Sequence, residues 1–140
     1  MKFVLAIPAR LESKRLPNKA ILDIEGKPMI QRVIERCQKT SEEITLVLCT
    51  DNEKLAKVAK RMNINVLDTS KECNSGTDRI ASVINNLIVL AWGEKNEKVD
   101  LENKSLLEQT FIINVQGDQP LIDPDIIDRM IREFKKKNNE

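Results

Sequence analysis

The sequence contains no histidine and no tyrosine, and only 3% of it is aromatic. The first absence removes Ser–His and Cys–His nucleophile pairs, together with every zinc site that depends on imidazole. Cysteine is scarce as well: Cys37, Cys49 and Cys73 form no C-x-x-C pair, and their odd number reads as reduced thiols rather than a disulfide framework. Gly26, Gly76, Gly93 and Gly117 are the only glycines, and they make neither G-x-x-x-x-G-K-[ST] nor G-x-G-x-x-G. A P-loop hydrolase and a dinucleotide fold are therefore both unsupported. Although 32% of residues are charged, the net charge is +1, which leaves no overall field to gather nucleic acid or an acidic membrane surface. The longest apolar stretch, Ile84 to Trp92, is interrupted by Asn85 and Asn86 and falls far short of the ~20 residues of a membrane span. The apolar run from Phe3 to Ile7 is too brief for a signal-peptide core, so the expectation is a cytoplasmic protein without membrane insertion. Its chemistry must rest on carboxylates, cations, backbone dipoles or a metal held by oxygen.

What is present is a β-α rhythm within a 140-residue chain, long enough for one domain with a real core. KFVLAIP (2–8) is a continuous apolar run suited to a strand covered on both faces. Pro28 sits where a first helical turn accepts it, and Met29, Ile30, Val33, Ile34 and Cys37 then recur at helical spacing to about residue 39. ITLVLCT (44–50) predicts a second strand, with Asp51 as N-cap and Leu55, Val58, Ala59 and Met62 on one helical face. INVLD (64–68) predicts a third, followed by a helix with Ile80, Val83, Ile84, Leu87 and Ile88 on its inner side. TFIINV (110–115) predicts the fourth, and the helix opening at Asp123-Pro124 is expected to bury Ile126, Ile127, Met130, Ile131 and Phe134. Such alternation predicts an α/β three-layer sandwich with a mainly parallel sheet. Residues 92–109 break the rhythm as a polar surface excursion, and the terminal KKKNNE reads as a solvated helix end favoured by the helix dipole. Because no strand follows the last helix, the expectation is a domain truncated at its C-terminus.

Ligands of open parallel sheets bind beyond the carboxyl ends of the strands, and the unusual loops all fall there. The first, ARLESKRLPNK, places Arg10, Lys14, Arg15 and Lys19 directly behind a buried strand, between prolines that limit the backbone. Such a loop suits a polyphosphate, gripped bidentately by arginine and neutralised by lysine; the plainer alternative is an exposed basic turn. In CNSGTDR, Ser75 with Asp78 reads structurally as an N-cap, whereas Arg79 opposes the helix dipole and calls for a local anion or ligand. In VQGDQP, Gly117 permits a backbone conformation closed to other residues. Asp118 is either a turn former or a ligand for a hard cation such as magnesium.

Taken together, IPARLESKRLPNK, DIEGKPMIQRVIER, CNSGTDRIA and NVQGDQPLI resemble the cytidylyltransferases that activate acidic sugars, most closely those specific for 3-deoxy-manno-octulosonate (Kdo). The resemblance spans nearly the whole chain. It implies a fold of the nucleotide-diphospho-sugar transferase type and transfer of CMP from CTP to the sugar, with Mg2+ assistance and release of pyrophosphate, in lipopolysaccharide biosynthesis. Arg10, Arg15 and Lys19 would then hold and neutralise the triphosphate; Pro8, Ala9, Ser75, Gly76 and Arg79 would contact the nucleotide, Gln116 the nucleotide or sugar, and Asp118 the metal. Positioning and electrostatics carry such a transfer, so the missing histidine is no obstacle.

The chain departs from the family pattern at several points. Asn18 and Ala20 stand where glycine and proline are usual around Lys19, Cys73 replaces a common histidine, and Gln119 replaces an acid after VQGD. The family's second half, which carries another metal-binding aspartate, much of the sugar pocket and the dimer contacts, has no counterpart here. The resemblance thus implies a nucleotide-binding portion over 1–140 that acts as a homodimer or with a complementing C-terminal half. Alternatives are transfer to another acidic sugar such as sialic acid, a non-catalytic CTP-binding module, and an α/β domain whose basic loop serves protein contacts.

Overall fold

The computed structural model describes residues 1–11, 18–93 and 98–138. The opening apolar run forms β1 (Lys2–Ala9); a 3-10 turn (Lys19–Ile21) leads to a hairpin of β2 (Asp23–Ile24) and β3 (Lys27–Pro28), then to α1 (Met29–Gln38). There follow β4 (Thr45–Thr50), α2 (Glu53–Arg61), β5 (Asn65–Asp68), α3 (Gly76–Ser82), α4 (Ile84–Trp92), α5 (Lys104–Glu108), β6 (Thr110–Asn114) and α6 (Pro124–Asn138). The hairpin, which periodicity did not signal, turns at Glu25 and Gly26 with φ of 51° and 90°. A two-residue loop with both φ positive matches the twist of paired strands, and glycine takes the second position at no steric cost.

The four long strands form one all-parallel sheet in the order β5-β4-β1-β6, with Leu5 opposite Leu46 on one side and Ile113 on the other. Because β1 is central, its side chains are buried on both faces, which is why KFVLAIP shows no polar alternation. Phe3, Leu5 and Ile7 join Ile30, Val33 and Ile34 of α1, Leu55 and Val58 of α2, and Ile127 and Ile131 of α6. On the opposite face, Val4, Ala6, Val47 and Cys49 pack with Ile80 of α3, Leu87 of α4 and Val83 between the two helices. This is the expected three-layer arrangement. No helix among the described residues is long and apolar enough to cross a membrane.

Three local expectations need correction, and a fourth gains a short helix. Asn52, not Asp51, caps α2: with φ −115° and ψ 128°, its side chain accepts from Lys54 N and Leu55 N, whereas Asp51 lies one residue too early to reach them. The helix after CNSG is two helices, because Val83 (φ −121°, ψ 21°) breaks the ladder; Val83 stays buried while Ile84 turns outward and is 39% exposed. On α6 the buried stripe is Ile127, Asp128 and Ile131, whereas Ile126 and Met130 are 54% and 52% exposed. The sheet ends at β6, so no further strand among the described residues covers that flank. Phe134, at the end of the exposed stripe, keeps partial cover by packing at a tilt against Phe111, with ring centroids 4.2 Å apart, and meeting Phe3 edge-on. Finally, the excursion at 92–109 contains α5, with Leu106 half-buried and Leu107 exposed.

Two polar braces tie the layers. The buried Asp128 carboxylate accepts from Ser41 N, Ser41 Oγ and Glu42 N at 2.9 to 3.1 Å, fastening α6 to the turn before β4. Burial opposes its charge, but these hydrogen bonds from Glu42 and Ser41, with Arg132 nearby, overcome that penalty and hold its pKa below the usual carboxylate value. At the amino end of the sheet, Trp92 Nε1 donates to Thr110 Oγ1 at 2.6 Å, and the Lys2 ammonium lies 5.7 Å from the indole centroid.

Candidate active site at the switch point of the sheet

The chain runs outward from β1 through β4 to β5, then crosses back to place β6 on the other side of β1. Where strand order reverses, the loops leaving adjacent strands diverge and a crevice opens at the carboxyl edge. Here the end of β1 (Pro8, Ala9, Arg10), the 3-10 turn (Lys19, Ala20), the start of α3 (Ser75, Gly76) and the loop beyond β6 (Gln116, Gly117, Asp118) wall a cleft of about 200 Å³.

Two glycines allow these segments to meet. Gly117 N donates to Pro8 O at 3.2 Å, and a Cβ at 117 would lie 2.9 Å from Ala9 Cβ and 3.1 Å from Pro8 O. Its φ is outside the left-handed region, so the backbone freedom that glycine permits is not used: glycine serves here for close approach to the central strand. At Gly76 a Cβ would stand 2.7 Å from Gln116 Oε1 and 3.0 Å from Pro8 Cγ. Asn18, which replaces the family's usual glycine, has φ 58° and ψ 26°. Asparagine enters that left-handed region more readily than most residues, so the turn that presents Lys19 is kept without glycine. Ala20, in place of proline, is buried in the first layer.

The polar groups divide into bound and available ones. Ser75 Oγ accepts from Asp78 N at 3.0 Å as the N-cap of α3, so the structural reading of S-x-x-D holds, while the hydroxyl proton stays free to be donated. Arg79 is 3% exposed; its Nη1 donates to Thr69 Oγ1 and Ser70 O, and Asp51 Oδ1 lies 3.9 Å away. The anion that its position called for is thus supplied by the chain itself, and the buried guanidinium braces the ends of β4 and β5 against α3 while still lining the cleft. Gln116 Nε2 donates to Asn114 Oδ1 at 3.0 Å. Lys19 Nζ donates to Asp118 Oδ2 at 3.1 Å, with both side chains substantially exposed. Arg10 is exposed at the mouth.

Among the described residues the cleft therefore collects three cations, Arg10, Lys19 and Arg79, against one carboxylate, Asp118. That balance suits a polyanion. No group of three or more histidine, cysteine or acidic side chains among the described residues could cage a metal ion. A magnesium ion needs no such cage when phosphates and waters complete its octahedron, and a lone exposed Asp118 facing a cationic cleft fits that mode. The thiols of Cys37 and Cys49 are pushed up by burial to about 12 and about 11. Neither is a nucleophile at neutral pH.

The structure thus brings Pro8, Ala9, Arg10, Lys19, Ser75, Gly76, Arg79, Gln116 and Asp118 to one cleft. Arg15, with Lys14, lies outside the described residues. The sequence reading missed Asp51 and Thr69 as partners of Arg79, and Lys71, which with Arg10, Cys73 and Arg79 lines a second basin of about 730 Å³ beside the first. Asp51 carried a signal, as an acid directly behind a buried strand, but helix capping was the competing use for it.

Comparison with known proteins agrees with this geometry. The family model described as cytidylyltransferase matches residues 4–140. The 3-deoxy-manno-octulosonate cytidylyltransferase of Haemophilus influenzae is 38% identical over 99% of this chain and 47% of its own length; that of Actinobacillus pleuropneumoniae is 38% identical over 93% and 45%. The chain thus spans about half the length of the curated relatives it matches. Among solved structures, a CMP:2-keto-3-deoxy-manno-octonic acid synthetase complexed with CTP superposes with a TM-score of 0.75 at 30% identity, covering 97% of this chain and 48% of the other. A cytidylyltransferase from Leptospira borgpetersenii gives 0.65 at 25% identity, covering 94% and 48%. A match to the family model over residues 4–140 of this chain, joined to a cationic cleft at the switch point of a parallel sheet, establishes that the chain belongs to the cytidylyltransferase family.

Proposed function

We propose that this chain is the nucleotide-binding portion of an enzyme that transfers CMP from CTP to 3-deoxy-manno-octulosonate. In this reading the anomeric hydroxyl of the sugar attacks the α-phosphorus, the bond to the β-phosphate breaks, and pyrophosphate leaves. Arg10 and Lys19, joined by Arg15 outside the described residues, neutralise charge that grows on the leaving group. Ser75 donates its free hydroxyl proton to the nucleotide, Gln116 offers an amide to the base or the sugar, and Pro8 and Ala9 form an apolar floor. Arg79 acts mainly by fixing the wall against which the nucleotide lies. Asp118 would hold Mg2+, which when bound supplies positive charge beside the phosphates. The observation that carries the reading is the convergence on one cleft of Arg10 and Lys19, from the loop after β1, with Asp118, 99 residues beyond Lys19 in the sequence.

Turnover, we further propose, requires additional polypeptide against the free edge of β6 and the exposed stripe of α6, as a second copy or as a complementing half. The β6 edge, unpaired among the described residues, and the apolar Ile126 and Met130 support a seat there. Calorimetry with CTP and Mg2+ tests the nucleotide reading: binding is expected, and Asp118→Asn should weaken it about tenfold or more, the worth of a charged contact. No binding at millimolar CTP and Mg2+ would overturn the reading. Pyrophosphate release with Kdo and then with sialic acid identifies the sugar.

A further inference from the structure

In the proposed reaction Lys19 and Asp118 serve opposite clients: the ammonium suits the anionic phosphate tail, and the carboxylate suits the divalent cation that accompanies it. In the structure the two side chains engage each other, Lys19 Nζ donating to Asp118 Oδ2 at 3.1 Å across 99 residues of sequence. Their backbones are held in place. Lys19 opens a 3-10 turn closed by Ile21 N to Asn18 O and Leu22 N to Lys19 O, with Ala20 buried behind it. Asp118 follows Gly117, whose amide is bonded to Pro8 O, and lies within the turn closed by Gln119 N to Gln116 O. The side chains, at 37% and 53% exposed, are free to part.

Resting on the nucleotide reading above, we propose that Lys19 is a placeholder for the metal: it occupies the coordinating face of Asp118 until phosphate draws it away. Two effects act together. The ammonium uses one carboxylate oxygen, and its charge repels a dication from the other. An arriving triphosphate removes both obstacles, because Lys19 exchanges a carboxylate for phosphoryl oxygens and Asp118 is released as the phosphates bring the cation. Metal entry is thereby coupled to nucleotide, and Asp118 holds little metal alone. The coupling is modest in size, since a solvated ion pair is worth up to about fivefold in an equilibrium constant.

The test uses Mn2+ alone as probe, free ion being read by electron paramagnetic resonance, on the full 140-residue chain. Lys19→Gln should bind Mn2+ about two- to fivefold more tightly than the unsubstituted chain. The gain should vanish in the Lys19→Gln/Asp118→Asn double variant. Arg10→Gln removes an equal charge from the same cleft without touching Asp118, and its gain should be smaller. Equal gains in the Lys19 and Arg10 variants would mean simple charge removal and overturn the proposal. So would a gain that survives loss of Asp118, unchanged affinity in Lys19→Gln, or no Mn2+ binding by either protein. Failure of the nucleotide reading is distinguishable: CTP would not bind with Mg2+, whatever Mn2+ alone did. A Lys19 variant that merely lost a phosphate contact would weaken CTP binding and leave Mn2+ unaffected.

Discussion

A methyl group added at position 117 should separate the fold from its site in a measurable way. In Gly117→Ala the new Cβ would meet Ala9 Cβ at 2.9 Å and Pro8 O at 3.1 Å, against ordinary contacts of about 3.5–4.0 Å. Roughly half an ångström or more must open between the end of β1 and the loop beyond β6. Neither neighbour can swing aside, because both are anchored at the end of the central strand. Overpacking of that kind costs about 1–3 kcal/mol. With a urea dependence of about 1–3 kcal/mol per molar, the unfolding midpoint should fall by about 1 M. Gly76→Ala is the matched control. There the closest atoms, Gln116 Oε1 and Nε2 at 2.7 and 3.0 Å, belong to an exposed, flexible amide, and Pro8 Cγ at 3.0 Å is the one firm neighbour. Better helix propensity, about 0.8–1 kcal/mol in a helix interior and less in a first turn, should offset part of that contact. Urea titration followed by far-ultraviolet circular dichroism, with calorimetry using CTP and Mg2+, reads both quantities. The Gly117→Ala chain should lose stability and nucleotide affinity together; the Gly76→Ala chain should lose affinity with little loss of stability. Equal midpoints for the unsubstituted and Gly117→Ala chains, or an equal cost at both positions, would refute the close-approach argument.

Two further outcomes follow from the buried braces. Arg79→Met should lower stability by about 2–3 kcal/mol, because Thr69 Oγ1 and Ser70 O lose a charged donor and Asp51 loses its neighbouring cation. Arg79→Lys should recover only part of this in a thermal melt, since an ammonium cannot reproduce the guanidinium fork. Asp128→Asn should cost about 2 kcal/mol at pH 7, its amide nitrogen being unable to accept from Ser41 or Glu42. Because the folded carboxyl titrates below its ordinary value of 3.8, its stabilisation is complete above that value and fades as pH falls through the depressed folded one. Denaturation at pH 7, 5 and 3 should show the gap between the unsubstituted and Asp128→Asn chains constant at the first two values and shrinking at the third. A gap that widened on acidification would contradict the assigned sign.

The β-α order was readable because it rests on long apolar runs and helical spacing, which survive any tertiary detail. The grouping of the candidate cleft was readable because its segments all leave the carboxyl ends of strands, and a parallel sheet gathers such loops at one edge. Choices between neighbours were not readable. Asp51 and Asn52 are both good caps, and only the backbone geometry at 52, with Arg79 beside 51, decides between them. Ile126 and Met130 carry the same apolar signal as Ile127 and Ile131; which stripe is covered depends on the sheet ending at β6, a fact about topology rather than about the helix. For Gly117 the sequence announced a glycine requirement but could not distinguish a left-handed turn from a crowded one. The pairing of Lys19 with Asp118 spans 99 residues and has no local signature at all.

The hydrogen-bonded indole at the amino end of the sheet has a practical consequence. With no tyrosine and one tryptophan in the chain, ultraviolet emission comes almost wholly from Trp92, lodged beside the first residues of β1 and β6. The cleft lies past the far end of β1, which at about 3.3 Å per residue is more than ~20 Å away. Native fluorescence therefore tracks melting of the sheet yet stays blind to occupancy of the cleft. With two thiols sealed in the core, a dye on Cys73 beside the cleft would turn the same indole into the donor of a distance gauge spanning the domain.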